Sequence, residues 1–230
     1  MRLLSLSLTA CLLLYVRSTA PAAEDENWTV LFNGKDLSGW RYGKEDLTGK
    51  TETADKRFVV RDGVIVAEPG NGIRDLYTNR PFDAEFHLKL EFRASAKSDS
   101  GVYIRGPQLQ VRDFPRRGEQ KQLKKFQTDG WNELDITVKN DQLLAKVNGK
   151  PLGSASLDLQ VKDGKVAAKL DGKETPISKL EIVQTAIAHC LVNGEFLEDM
   201  PIPSKSSNGI GLQAETGKFE FRNIRVRERK

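Results

Sequence analysis

Phe86-His87-Leu88-Lys89-Leu90-Glu91-Phe92-Arg93 alternates apolar and polar residues without a slip. Strict period two marks a strand with one face buried and the other wet or facing a cleft. The same reading extends outward along the chain. Val59-Val60-Arg61-Asp62-Gly63-Val64-Ile65-Val66 sets two apolar arms around Asp-Gly, the favoured type I′ hairpin dipeptide. Val102-Tyr103-Ile104-Arg105 and Leu109-Gln110-Val111-Arg112 alternate again, with Gly106-Pro107 as a turn or break between them. Phe219-Glu220-Phe221-Arg222 continues as Ile224-Arg225-Val226, and the apolar parity shifts at Asn223. A bulge there keeps Ile224 and Val226 facing inward. No window carries a helical period of useful length, and the stretch from Pro115 to Lys125 holds one helical turn at most. The chain therefore reads as all-β, an antiparallel β-sandwich.

The 230 residues include 36 Lys+Arg and 32 Asp+Glu, a formal charge of +4. The two signs are interspersed, which argues for a globular domain and against a dedicated nucleic-acid partner. Aromatics make up only 7%, too few for a platform that stacks single strands. Met1-Arg2, the apolar run Leu3 to Val16 and Ala20-Pro21-Ala22 together read as a secretory signal over residues 1–23. The run is shorter than the ~20 residues of a membrane span, and no later segment approaches one, so no membrane association is expected after signal removal. Removing the signal takes away Arg2 and Arg17 but no acid, so +4 falls to +2. It also takes Cys11, leaving Cys190 as the single thiol of a secreted or periplasmic protein without an internal disulfide. Residues 24–230 then form a single sandwich domain.

A repeat occupies the C-terminal half, at about 135–197. Asp135-Ile136-Thr137-Val138-Lys139 leads through Ala145-Lys146-Val147 to Asn148-Gly149. Asp158-Leu159-Gln160-Val161-Lys162 leads through Ala168-Lys169-Leu170 to Asp171-Gly172, and Glu181-Ile182-Val183-Gln184 leads to Asn193-Gly194. Each unit reads as strand, turn, strand and hairpin, which predicts a meander of extra hairpins inside the sandwich.

Several chemistries are excluded or weakened. Two histidines, His87 and His189, without H-E-x-x-H leave no His-based zinc site, and no G-x-S-x-G elbow occurs. Glu133 and Asp135 share a strand face, as in sandwich glucanases, but Thr137, Val138 and Lys139 follow where a second catalytic carboxylate is needed. Cys190 sits in an apolar run and reads as a buried, inert thiol. Arg112, Arg116, Arg117, Lys121, Lys124 and Lys125 form a basic stretch that reads as a solvated loop.

The ordered motifs resemble one family. Leu31-Phe32-Asn33-Gly34-Lys35-Asp36-Leu37-Ser38-Gly39-Trp40 is similar to its opening L-F-N-G-x-D-L-x-G-W. Ser100-Gly101-Val102-Tyr103-Ile104-Arg105, Gln108 to Asp113, Trp131-Asn132, Asn193-Gly194 and Gly209-Ile210-Gly211-Leu212-Gln213 with Phe221-Arg222-Asn223-Ile224 follow in order. The resemblance is to the 3-keto-disaccharide (3-keto-glycoside) hydrolases. It implies a concanavalin A-like jelly-roll of the lectin/glucanase type, export, and a carbohydrate substrate oxidised at C3. A C3 ketone acidifies the C2 hydrogen, so a base removes it and the C1 glycosidic oxygen leaves; water then adds back.

By position in the motifs, Asp113 is the candidate base, and Gln108 and Arg105 complete the catalytic set. Gln110, Tyr103, Arg112, Asp99 and Trp131 are the candidate sugar-binding residues. Gln108 stands where the family commonly has Glu, and Asp99 where it has Asn. The amide at 108 favours the alternative, a non-catalytic carbohydrate-binding or adhesion module. No cofactor is implied, and a divalent cation is compatible without any motif that demands one. Sugar, linkage and oligomeric state are not written in these residues.

Overall fold

The structure, a computed structural model, describes residues 27–152, 157–162 and 165–229. The expected signal segment lies outside the described residues. In chain order the strands are β1 (Thr29–Val30), β2 (Trp40–Tyr42), β3 (Glu45–Asp46), β4 (Phe58–Arg61), β5 (Val64–Ala67), β6 (Arg74–Thr78), β7 (Phe86–Ala94), β8 (Asp99–Tyr103) and β9 (Gln108–Arg112). One helical turn, α1 (Phe114–Arg117), follows. Then come β10 (Asn132–Val147), β11 (Lys150–Pro151), β12 (Leu157–Lys162), β13 (Lys165–Leu170), β14 (Lys173–Glu174), β15 (Leu180–Val192), β16 (Glu195–Ile202), β17 (Gly211–Ala214) and β18 (Phe219–Glu228).

Two antiparallel sheets face each other in a concanavalin A-like jelly-roll sandwich. One runs β16-β15-β10-β7-β18-β5-β4, with β1 on β18 and β11 on β10; the other runs β3-β2-β6-β17-β8-β9. The alternation of β7 does what the sequence pattern requires: Phe86, Leu88, Leu90, Phe92 and Ala94 are buried, and the residues between them are half-buried on the outside. Trp40, Phe58, Leu76, Val102, Leu212, Phe219 and Phe221 fill the space between the sheets. Each such side chain contributes about 1.5–3 kcal/mol by leaving water.

Local chemistry fixes the register. The pairing of β18 with β7 shifts between Arg222 and Arg225, and Asn223 has φ 54°. That bulge restores parity, and Ile224 and Val226 are fully buried. Asp62-Gly63, Asn148-Gly149, Asp171-Gly172 and Asn193-Gly194 all have positive φ at both residues, the requirement of a type I′ turn.

The opening motif and the Trp-Asn motif serve architecture. Trp40 Nε1 donates to the Leu31 carbonyl at 2.8 Å from the core. Asn132 is fully buried, and its side chain holds the Gln127 backbone from both sides. Asn193 Nδ2 donates to the same Asn132 oxygen at 2.8 Å, so the two motifs form one latch.

The repeat folds differently from a meander. Its hairpin turns form, but the first unit runs as one 16-residue strand, β10, with only a register shift between Lys139 and Gln142 where a turn was expected. The third unit is the continuous β15, which pairs directly with β10. The middle unit is expelled into a separate sheet, β12-β13-β14. Once β10 and β15 pair with each other, β12, β13 and β14 have no free edge between them to join, and of the intervening strands only the two-residue β11 adds to the other edge of β10.

Candidate functional site

The outward face of the six-stranded sheet collects the polar residues of five strands. Period two sends Leu76, Leu212, Val102, Leu109 and Val111 inward, and sends Asp75, Tyr77, Gln213, Tyr103, Gln108, Gln110 and Arg112 outward. The register aligns Arg41, Tyr77, Gly211, Tyr103 and Gln108 in one row across the sheet. In neighbouring rows Gln213 pairs with Asp75, Gly101 with Gln110, and Asp99 with Arg112.

Two glycines shape this floor. A Cβ on Gly101 would stand 2.0 Å from Gln108 Nε2, and one on Gly211 would stand 2.5 Å from the Tyr77 ring. Their bare backbones let the Gln108 amide lie flat and bring the Tyr77 and Tyr103 rings to a centroid separation of 5.5 Å. Arg41 stacks on Tyr77 from the far side, at 5.1 Å.

Hydrogen bonds on the floor run in one direction. Gln108 Nε2 donates to Gln213 Oε1 at 2.7 Å, and Gln213 Nε2 donates to the Tyr103 hydroxyl at 2.7 Å. The Tyr103 hydroxyl in turn faces Asp75. Among the described residues Asp75 Oδ1 is buried without a hydrogen-bond partner. Burial raises the Asp75 carboxyl above its usual range, and contact with Tyr103 offsets only part of this. Burial and the Asp75 charge push Tyr77 up to about 12, and burial, Asp75 and Tyr77 do the same for Tyr103. A half-buried carboxylate that carries an unmet acceptor and, among the described residues, no ion pair is equipped to take a proton. Beside it opens a depression of about 530 Å³, lined in part by Arg41, Asp55, Arg74, Asp75 and Tyr77. At the opposite edge, burial and then Asp99 raise Glu215.

The sequence-derived candidates divide. Gln108, Gln110, Tyr103, Asp99 and Arg112 share this face. Within it Arg112 is committed to Asp99 at 2.7 Å and to Gln110 at 3.0 Å, and it reaches Glu119 at 3.2 Å. Asp113, Arg105 and Trp131 are elsewhere. Asp113 has the parity of Leu109 and Val111, so it points inward; it has no exposed surface and holds Lys97 N at 2.8 Å and Arg116 Nε at 2.5 Å. Arg105 is 3% exposed, and its five N–H groups meet five acceptors: the carbonyls of Phe82, Asp83, Ala84 and Pro203, and Asn140 Oδ1. Neither side chain is part of the floor. Trp131 lies on the outer face of the other sheet, 3.9 Å from Arg222 and 4.8 Å from Arg93. Arg116 and Arg117 of the basic stretch are likewise paired, with Asp129 and with Asp99.

Asp75 and Tyr77 escaped the sequence reading. Their signal was present as the alternation Asp75-Leu76-Tyr77-Thr78, but only the sheet order β6-β17-β8 brings them beside Tyr103.

The glucanase-like strand lies on the outer face of the nine-stranded sheet. Asp135 pairs with His87 at 2.5 Å and with Lys89 at 3.2 Å. Burial pushes its carboxyl up, but the hydrogen bond and charge of His87, with those of Lys89, bring it below the usual range. Cys190 is fully buried, which raises its thiol strongly. Among the described residues no group of three or more His, Cys, Asp or Glu side chains is arranged to hold a metal ion.

Residues 27–227 match the family model described as the 3-keto-alpha-glucoside-1,2-lyase-like domain. No curated protein sequence matches the chain significantly. Among solved structures, a provisionally named glycosyl hydrolase from Parabacteroides distasonis is 18% identical over 88% of this chain and 99% of its own, with a TM-score of 0.45. A Bacillus licheniformis β-glucanase is 11% identical over 88% and 97%, with a TM-score of 0.37. The carbohydrate-binding module CBM66 from Bacillus subtilis is 11% identical over 81% and 94%, at 0.32.

Proposed function

The chain belongs to the 3-keto-alpha-glucoside-1,2-lyase-like family, and from that premise we propose an exported enzyme that cleaves 3-keto-glycosides on the open face of the six-stranded sheet. The observation that carries this reading is Asp75, a half-buried carboxylate with an unmet acceptor among tyrosines and amides. Asp75 takes the C2 proton of the bound sugar, made acidic by the C3 ketone. The electron pair forms the C1–C2 double bond, and the C1–O bond breaks as the leaving oxygen takes up a proton. Water then adds at C1, and a proton returns to C2, giving the free 3-keto sugar. The Tyr103 hydroxyl and the Gln108 and Gln213 amides supply dipoles to the enolate oxygen without a competing charge. The depression beside Asp75 receives the departing group.

Incubation with a 3-keto-disaccharide in D2O tests the reaction. The expected product is a 3-keto monosaccharide carrying deuterium at C2, with no release from the unoxidised disaccharide. Cleavage without deuterium incorporation would replace elimination by direct displacement. Saturable binding without turnover would establish the non-catalytic module, the reading favoured by the amide at Gln108.

A further inference from the structure

The ladder between β17 and β8 is irregular at its end. Leu212 pairs with Val102, and Thr216 pairs with Asp99 in a short bridge. Four residue steps on one side therefore run against three on the other, so the stretch between Leu212 and Thr216 carries one extra residue, a β-bulge. Its backbone is firmly tied. Asp99 N donates to the Thr216 carbonyl at 2.8 Å, and Ser100 Oγ donates to the Gln213 carbonyl at 2.7 Å. Gly217, at φ 74°, passes so near Ser98 that a Cβ on it would stand 2.8 Å from the serine Cβ. Bulges re-aim side chains at the edge of a site.

The side chain aimed here is Glu215. Ala214 before it is buried in the core, whereas Glu215 is half-buried and feels the charges of Asp99, Arg112 and Arg117 at this edge of the floor. Both guanidinium groups are committed to other carboxylates. Arg112 holds Asp99 at 2.7 Å and Glu119 at 3.2 Å, and Arg117 holds Asp99 at 3.2 Å and Glu119 at 3.1 Å. Among the described residues the Glu215 carboxyl enters no hydrogen bond or ion pair. Burial and the Asp99 charge raise it, and a hydroxyl donated to it would offset that desolvation.

In the reaction proposed above, on which this inference rests, C2 lies at Asp75 and the C3 oxygen at the Gln108 and Gln213 amides. The C1 substituent then occupies the depression on the β2–β6 side. C4 is the ring atom opposite C1, so its hydroxyl points to the other edge, where Glu215 stands. We propose that Glu215 is a specificity residue of this floor: its carboxylate accepts a hydrogen bond from the C4 hydroxyl and selects sugars by their configuration at C4.

Steady-state kinetics of the full chain on a 3-keto-glucoside, its 4-deoxy analogue and its C4 epimer test this. Glu215→Ala is expected to raise KM for the 3-keto-glucoside about tenfold and to leave kcat within about twofold. Glu215→Gln, which keeps an acceptor oxygen, falls between. The 4-deoxy analogue shows a raised KM with the unaltered chain, and Glu215→Ala adds nothing to it. Discrimination against the C4 epimer falls in the variant. The proposal is overturned if Glu215→Ala leaves KM unchanged, lowers kcat instead, or raises KM equally for the 4-deoxy analogue. An unaltered chain that neither cleaves the 3-keto-glucoside nor incorporates deuterium at C2 would remove the reaction itself, and this role with it. Normal cleavage with an unchanged KM in Glu215→Ala removes only the role of Glu215.

Discussion

Asp75 and Asp135 are the same residue type, both half-buried on exposed strand faces of opposite sheets, and burial drives both carboxyls upward. They end on opposite sides of the ordinary value. Asp135 has His87 at 2.5 Å and Lys89 at 3.2 Å, and these partners outweigh desolvation. Asp75 has a tyrosine hydroxyl and a buried oxygen with no hydrogen-bond partner, so desolvation prevails. The outer face is the more densely charged of the two, yet its carboxylates Glu91, Asp135, Glu220 and Glu228 are each neutralised by a basic neighbour. Charge density alone does not separate the two aspartates; the balance between desolvation and basic partners does.

The strongest way to break the contrast is to neutralise each aspartate in turn. Asp75→Asn should lower turnover of a 3-keto-disaccharide by about 10²–10⁴-fold, measured by release of reducing sugar. Asp135→Asn should leave turnover within about twofold and instead cost stability, roughly 1–3 kcal/mol by urea unfolding. Equal losses of turnover in both variants would erase the distinction.

The Arg105 clamp sharpens the comparison from the side of stability. Arg105→Met removes the buried guanidinium from five acceptors and should destabilise the fold by about 3 kcal/mol or more. Retained thermal stability together with lost turnover would return Arg105 to the chemistry.

Acid titration should separate the two aspartates by sign. Asp135, lowered in the folded state, stabilises the protein fully above its unfolded value of about 3.9, and that contribution is lost as pH falls through its folded value. Asp75, raised in the folded state, does the reverse: stability declines as pH rises from about 3.9 through its folded value. Unfolding curves of the two Asn variants against pH should therefore diverge from the unaltered chain in opposite directions. Turnover should rise with pH through the raised Asp75 value.

The smallest effect belongs to the surface pairs. Glu91→Gln removes the partner of Arg222, at 2.7 Å, and of Asn223. It should cost at most about 1 kcal/mol and leave turnover unchanged.

Much of the fold was legible because it rests on local rules. The alternation of Phe86 to Arg93, the Asp-Gly and Asn-Gly turns and the bulge at Asn223 all follow from period two and from φ requirements that single residues express. The site was legible only in part. Gln108, Gln110 and Arg112 share a face by the same period, and that period also turns Asp113 inward, a consequence that motif position alone obscures. Ser-Gly-Val-Tyr-Ile-Arg mixes chemistry and architecture: Tyr103 lines the floor, while Arg105 locks a loop. The Trp131-Asn132 motif is likewise a latch and an outer-face contact.

By itself, then, the sequence determined strand identity, facing and turns, because each is decided by neighbours a few residues apart. Only the tertiary structure decided which strands lie side by side. It set β6 against β17 and β17 against β8, and so assembled Asp75, Gln213 and Tyr103 from segments far apart in the chain. Among the described residues it also left Asp75 outside any ion pair and gave Asp135 two basic partners. Partner choice depends on sheet order and burial, and neither is encoded within a single strand.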